Sequence, residues 1–245
     1  MAGHSKWKTI KHAKAATDAK RGAVFTKLIR EITVAAKAGG GDPGGNPRLR
    51  TAIDAARSQS MPKDNIDRAI KKGTGELEGV EYVDVTYEAY GPGGVALMIQ
   101  ALTDNPTRTV ADVRAKLSRN GGNLGTSGSV AFMFDRRGRM YLPASGDEDA
   151  MMELALDCGA SDFARDEDTF VITTEASDLH AVKEALEAKG LKLAEAKLEW
   201  VPQSTVQVAG EDAKTLIKLL DVLDDLDDVQ NVEGNFDIDD SAIGD

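Results

Sequence analysis

The spacing of apolar positions switches from helical to alternating and back along the chain, and the switches mark out its parts. Phe25, Leu28, Ile29, Ile32 and Ala36 recur at three- and four-residue intervals, which stacks them on one helical face. Lys20, Lys27, Arg30 and Lys37 fall on the opposite side, so this helix is expected to be apolar inside and cationic outside. The glycines of GGGDPGGNP (39–47) stop it. Leu49, Ile53 and Ala56 predict a second short helix, and a third runs from Pro62 in its first turn to Gly73 at its end. Residues 1–20 scatter basic side chains among small ones and read as an arm or frayed helix able to order on a partner.

After Gly79 the period becomes two. Val83, Val85, Tyr87 and Ala89 alternate with polar residues, a half-buried strand, and GPGG (91–94) turns into VALMIQAL, a strand apolar on both faces. Val110, Val113 and Leu117 place a helix between Pro106 and Asn120, and VAFMF (130–134) reads as the next strand. Residues 205–208, the Leu216, Leu219, Leu220 and Leu223 stripe, and 231–238 supply further β, α and β elements. Between them, residues 138–200 follow the order βαββαβ, the ferredoxin-like arrangement. The expected fold class is therefore multidomain α+β. A three-helix domain (1–78) precedes an α+β domain (79–136 plus 202–245), into which a βαββαβ domain (137–201) is inserted. The chain leaves near Asp135 and returns near Gln203.

Charge sharpens this division. Residues 1–75 hold sixteen of the 30 Lys and Arg but six of the 41 Asp and Glu, a net +10, and the other 170 residues carry −21. A pI near 4.8 conceals that segregation. A solvated helix face is the ordinary account of a charge run, but the double bias favours polyanion binding. The expected nucleic-acid contacts are Lys6, Trp7, Lys8, Lys11, His12, Lys14, Lys20, Arg21, Lys27, Arg30, Arg48, Arg50, Arg57, Lys63, Lys71 and Lys72. Trp7 can stack on a base or dock on the bundle.

Little points to catalysis. His4, His12 and His180 form no metal-binding spacing, Cys158 falls on an apolar helix face, and the acidic run 221–228 lacks the ligand pattern of a calcium loop. Gly121, Gly122, Gly125 and Gly128 follow a helix and precede a strand, the reverse of a dinucleotide or P-loop site. That loop reads either as plain connection or as a backbone-contacting surface formed by Arg108, Arg114, Arg119, Asn123, Thr126 and Ser127. No catalytic residue, metal or cofactor is expected. One cysteine and the lack of a bilayer-length apolar run or secretory h-region make the cytoplasm the default. A monomer is the default oligomeric state.

AGHSKW, DAKRGAVFTKLIREI, GGGDPGGNPRLR, MPKDNIDRAIKKGTG, YGPGGVALMI, RTVADVR, GGNLGTSGSVAFMF and DLDDVQNVEGNFDI, in this order from end to end, closely resemble the YebC/PmpR family. Ala13 and Pro106 depart from basic residues common in relatives. The resemblance implies a cytoplasmic, non-enzymatic protein of three domains with a role in gene expression. Some members look like DNA-binding transcriptional regulators, others like translation factors that act at the ribosome on proline-rich stalls. The implied partner is nucleic acid, either promoter DNA or ribosomal RNA, with the ribosome included and no membrane.

Overall fold

The computed structural model describes residues 18–238. Three helices come first: α1 (Asp18–Gly39), α2 (Pro47–Ser58) and α3 (Lys63–Thr74). Their apolar stripes meet in a core of Ile32, Ala35, Ala36, Leu49, Ala52, Ile53, Ala56, Met61, Ile66 and Ala69. A fully buried Ile or Leu such as Ile32 or Leu49 contributes about 1.5–3 kcal/mol. Asn46 fixes the turn between α1 and α2. Its Oδ1 accepts from Leu49 N at 3.1 Å, capping α2, while its Nδ2 donates to Ala35 O at 2.7 Å and Gly40 O at 2.8 Å.

The middle unit is built on a four-stranded antiparallel sheet, ordered β3-β1-β2-β9. Its members are β1 (Val83–Tyr90), β2 (Ala96–Thr103), β3 (Asn123–Leu124) and β9 (Val229–Gly234). Between them lie α4 (Pro106–Arg119) and α7 (Gly210–Asp224), which bury Val113, Leu117, Leu216, Leu219, Leu220 and Leu223 against Leu97, Ile99 and Val229. The opposite face, with Ala96 and Met98, is covered by Val130, Phe134 and Trp200. Short β8 (Val206–Val208) and β10 (Phe236–Ile238) form a separate parallel pair.

Two expected strands are revised. VAFMF is not a strand throughout, because Ala131–Met133 form a 3₁₀ turn before β4 (Phe134–Pro143) begins. The Val130 and Ala131 amides that a ladder would use are taken by the Glu88 carboxylate. Residues 231–238 are likewise broken at Asn235. Its backbone N donates to Ala96 O at 3.1 Å, its Oδ1 accepts from Ala96 N at 2.8 Å, and its carbonyl accepts from Val206 N at 2.6 Å. The chain thereby transfers from one sheet to the other.

The inserted unit runs β4, α5 (Glu148–Asp157), β5 (Asp162–Asp166), β6 (Thr169–Glu175), α6 (Leu179–Ala188) and β7 (Glu195–Pro202). Strand order β5-β6-β4-β7, antiparallel throughout, is the ferredoxin-like order that the βαββαβ reading implies. Phe134 pairs with Pro202, and Gln203 N donates to Met133 O at 2.9 Å, so the chain leaves and re-enters the middle unit side by side. This makes the insertion geometrically simple.

Candidate nucleic-acid interface

Helix α1 does present cations opposite its apolar stripe, but Lys27 and Arg30 do not stand free. Lys27 Nζ donates to Asp224 O at 2.6 Å and lies 3.1 Å from Asp224 Oδ1, at the end of α7. Arg30 donates to Asp227 O and Asp228 Oδ1, both at 2.6 Å, and to Leu102 O at 3.3 Å, with Tyr82 against its guanidinium. Their side chains are only 14% and 12% exposed. These two expected phosphate contacts are engaged within the molecule, where they join the bundle to the middle unit. A helix C-terminus and its aspartates already supply the negative field that a phosphate would supply.

Other cations of the bundle are also drawn into this seam. Arg48 meets Glu31 at 2.7 Å and Asp84 at 3.3 Å, Lys37 meets Glu81 at 2.7 Å, and Arg50 meets Glu184 of the inserted unit at 2.8 Å. The Glu31 hydrogen bond, opposed by burial, leaves the Arg48 guanidinium more basic than usual. Lys183 reciprocates by reaching Asp54 at 2.9 Å. The exposed pairs are worth at most about 1 kcal/mol each, but they set which surfaces remain open.

Among the described residues of the bundle, the cations of α3 remain open. Lys63, Arg68, Lys71 and Lys72 are exposed and make no ion pair with any described residue, and Arg57 beside them has only Asp54 at 3.9 Å. Ile66 and Ala69 hold the other side of α3 in the core, so the cations are turned outward. Arg68 is not among the contacts expected from the sequence. Lys6, Trp7, Lys8, Lys11, His12 and Lys14 lie outside the described residues, as do the side chains of Lys20 and Arg21.

A second surface is organised by a buried carboxylate. Glu88, 8% exposed, accepts from Gly128 N at 2.6 Å, Val130 N at 2.7 Å and Ala131 N at 2.8 Å, and its own carbonyl accepts from Gly125 N at 2.8 Å. Burial alone would raise its pKa. The backbone donors prevail and hold it below the usual carboxylate range. Around it Asn123, Thr126 and Ser127 are exposed, as are Arg114 and Arg119 on α4. Arg108 is drawn away from this group, meeting Asp104 at 2.7 Å and Asp228 at 2.9 Å. It lines a cleft with Asp112, Asp225 and Asp227, an acidic surround that disfavours phosphate.

Glu88→Gln should cost about 1–3 kcal/mol at neutral pH, because an amide cannot accept from every amide that the carboxylate serves. The depressed pKa contributes stability above about pH 4.3, where the unfolded side chain ionises, and loses it as pH falls through the folded value. Urea midpoints of parent and variant should therefore differ at pH 7 and converge in acid. A constant difference across that range would exclude the ionised carboxylate as the cause.

Among the described residues, no group of three or more His, Cys, Asp or Glu side chains could hold a metal ion, and no helix is long and apolar enough to cross a membrane. Cys158, on which no chemistry was expected, caps α5 half-buried.

Family models for the N-terminal domain of TACO1/YebC proteins and for the second and third domains of TACO1/YebC match residues 5–76 and 82–236. The chain belongs to the TACO1/YebC family. A relative from Gemmatimonas aurantiaca named a probable transcriptional regulatory protein is 68% identical over 100% of both chains. Another of that name from Acidithiobacillus ferrooxidans is 56% identical, covering 99% of this chain and 97% of its own. The crystal structure of a conserved hypothetical protein from Aquifex aeolicus superimposes with a TM-score of 0.85 at 49% identity, covering 91% of this chain and 93% of that one. A TACO1/YebC member at this level of likeness shares the fold, which does not by itself fix an activity.

Proposed function

We propose that this protein is a non-enzymatic regulator of gene expression that binds nucleic acid through the outer face of α3. The observation that carries the reading is the exposed set Lys63, Arg68, Lys71 and Lys72, without acidic partners among the described residues while Lys27, Arg30, Arg48 and Arg50 are engaged across the domain seams. Three of the four are lysines, compact point charges that suit phosphate better than bidentate reading of a base edge. The binding is thus of backbone and shape. Names of the relatives as probable transcriptional regulators support DNA as the target. Recognition by shape equally supports structured RNA, the target of a ribosome-associated translation factor.

Lys71→Ala with Lys72→Ala should weaken binding to a promoter-like duplex, a scrambled duplex and a folded ribosomal RNA fragment alike. Each lost phosphate contact should lower the slope of log affinity against log salt by about one. Lys27→Ala should leave that slope unchanged. An unaltered slope in the double variant, measured by fluorescence anisotropy, would reject α3 as the binding face. Comparison of parent affinities for the duplexes and the RNA fragment separates the two targets.

A further inference from the structure

Phe132 is 71% exposed, although Val130 and Phe134 on either side of it are 0% and 4% exposed. Its backbone is held on both flanks. Val130 N and Ala131 N donate to Glu88, Met133 N donates to Val130 O at 2.9 Å, and Gln203 N donates to Met133 O at 2.9 Å. Tyr90 adds a hydroxyl bond to Ser129 O at 3.0 Å. A large ring is thereby presented to solvent from a turn that cannot easily fold it back.

Polar groups gather at the same end of β1. Asn123 and Leu124 pair with Tyr90 and Ala89, so the start of the glycine-rich loop and the turn bearing Phe132 are fastened to one stretch, Glu88–Tyr90. Asn123, Thr126 and Ser127 are exposed on that loop. The remaining exposed large apolar residues, among them Leu77, Val80, Met152 and Leu198, lie on other elements. An apolar protein partner would want a contiguous patch. A single flat ring on the same loop as exposed hydroxyl and amide groups matches one π face flanked by sugar and phosphate.

We propose that Phe132 is a stacking platform for an unpaired nucleobase, with Asn123, Thr126 and Ser127 holding the adjoining sugar and phosphate. This rests on the nucleic-acid reading above and adds to it a requirement for a single-stranded segment.

The full chain and its Phe132→Ala, Phe132→Tyr and Phe132→Leu variants should be titrated into labelled single-stranded RNA and DNA of about 12 nucleotides, and into a blunt duplex of matched phosphate number. Phe132→Ala should weaken single-strand binding about tenfold, with an unchanged salt slope, and leave duplex binding within about twofold. Phe132→Tyr should match the parent and Phe132→Leu should match Phe132→Ala. Equal single-strand affinity of Phe132→Ala, an equal loss on the duplex, or rescue by Leu, the mark of an apolar protein contact, each overturns the stacking platform. A parent that binds duplex and folded RNA normally while Phe132→Ala is silent removes only this proposal. A parent that binds no nucleic acid removes the reading beneath it as well. Thermal unfolding of the three variants should match the parent, since the side chain is outside the core.

Discussion

Gly73→Ala should destabilise the N-terminal bundle by about 2–3 kcal/mol, although the same change at an exposed helix position ordinarily gains up to about 1 kcal/mol. The sign reverses because α3 crosses α1 at this residue. A methyl there would lie 2.7 Å from Ala36 Cβ and closer still to Thr33 O, with Lys37 N at 3.2 Å. These neighbours cannot rotate away, since two of the three atoms belong to the backbone of α1 and Ala36 has no rotamer to change. Thr33 is itself fixed by hydrogen bonds from its hydroxyl to Ile29 O at 2.8 Å and Ala69 O at 3.3 Å. Either the helices separate, emptying the space around Ile32 and Ala69, or α3 bends and loses hydrogen bonds near its end. Gly22→Ala is the matched control, with nothing near its added methyl, and should raise the urea midpoint slightly. A midpoint for Gly73→Ala at or above the parent's would show that the two helices part without cost.

Gly73 also shows where sequence reading reaches its limit. Its place at the end of an apolar stripe identifies a helix terminus, and the helix does end one residue later, at Thr74. The close approach of α1 is a relation between segments some 40 residues apart and leaves no local mark. The elements themselves were largely legible, because helical spacing in α1, α2 and α3 and alternation in β1 report directly on burial of one face. The βαββαβ order was legible for the same reason. The strand assigned to 130–134 failed because its amides are satisfied by a side chain from β1, a long-range bond that periodicity cannot register.

The candidate site was harder to see. A helical wheel divides α1 into an apolar side and a charged side, and charge is then read as exposure. Here the apolar side is covered by Leu49, Ile53 and Ile66, and Lys27 and Arg30 on the charged side are covered by Asp224 at the end of α7 and Asp228 beyond it, almost 200 residues away. The +10 of the first 75 residues thus overstated the open cations, since several neutralise part of the acidic remainder within the molecule. Arg68, not among the expected contacts, is exposed and makes no ion pair with Asp64 one turn before it. Phe132 was read as a strand residue, and its exposure follows only from the 3₁₀ turn that replaces that strand.

Asp228→Ala should cost about 3 kcal/mol and loosen the seam between the bundle and the middle unit. One carboxylate there accepts from Arg30 at 2.6 Å, Arg108 at 2.9 Å, Thr109 Oγ1 at 2.6 Å and Thr103 Oγ1 at 3.2 Å. Asp228 and both threonines are buried, so removal leaves Arg30 without its closest counter-charge and the hydroxyls with only each other, at 2.7 Å, and Asn105 O, at 3.1 Å from Thr109 Oγ1. Arg108, about half exposed, can recover hydration and still has Asp104, which keeps the expected loss at the lower end of that for a broken buried pair. Burial by itself would raise the Asp228 pKa, but the bonds from Arg108, Thr109 and Arg30 hold it below the usual carboxylate range. The group therefore contributes stability above about pH 3.9, lost as pH falls through its folded value, so parent and variant should converge in acid. The seam and the binding face separate in this experiment. If α3 carries the phosphate contacts, Asp228→Ala at a temperature where it remains folded should keep the parent's salt slope while the linker around Glu81 becomes more sensitive to proteolysis. A matching loss of nucleic-acid affinity with intact folding would instead mean that the bundle and the middle unit must be held in one orientation to bind, making Arg30 a positioning residue for the interface through Asp228.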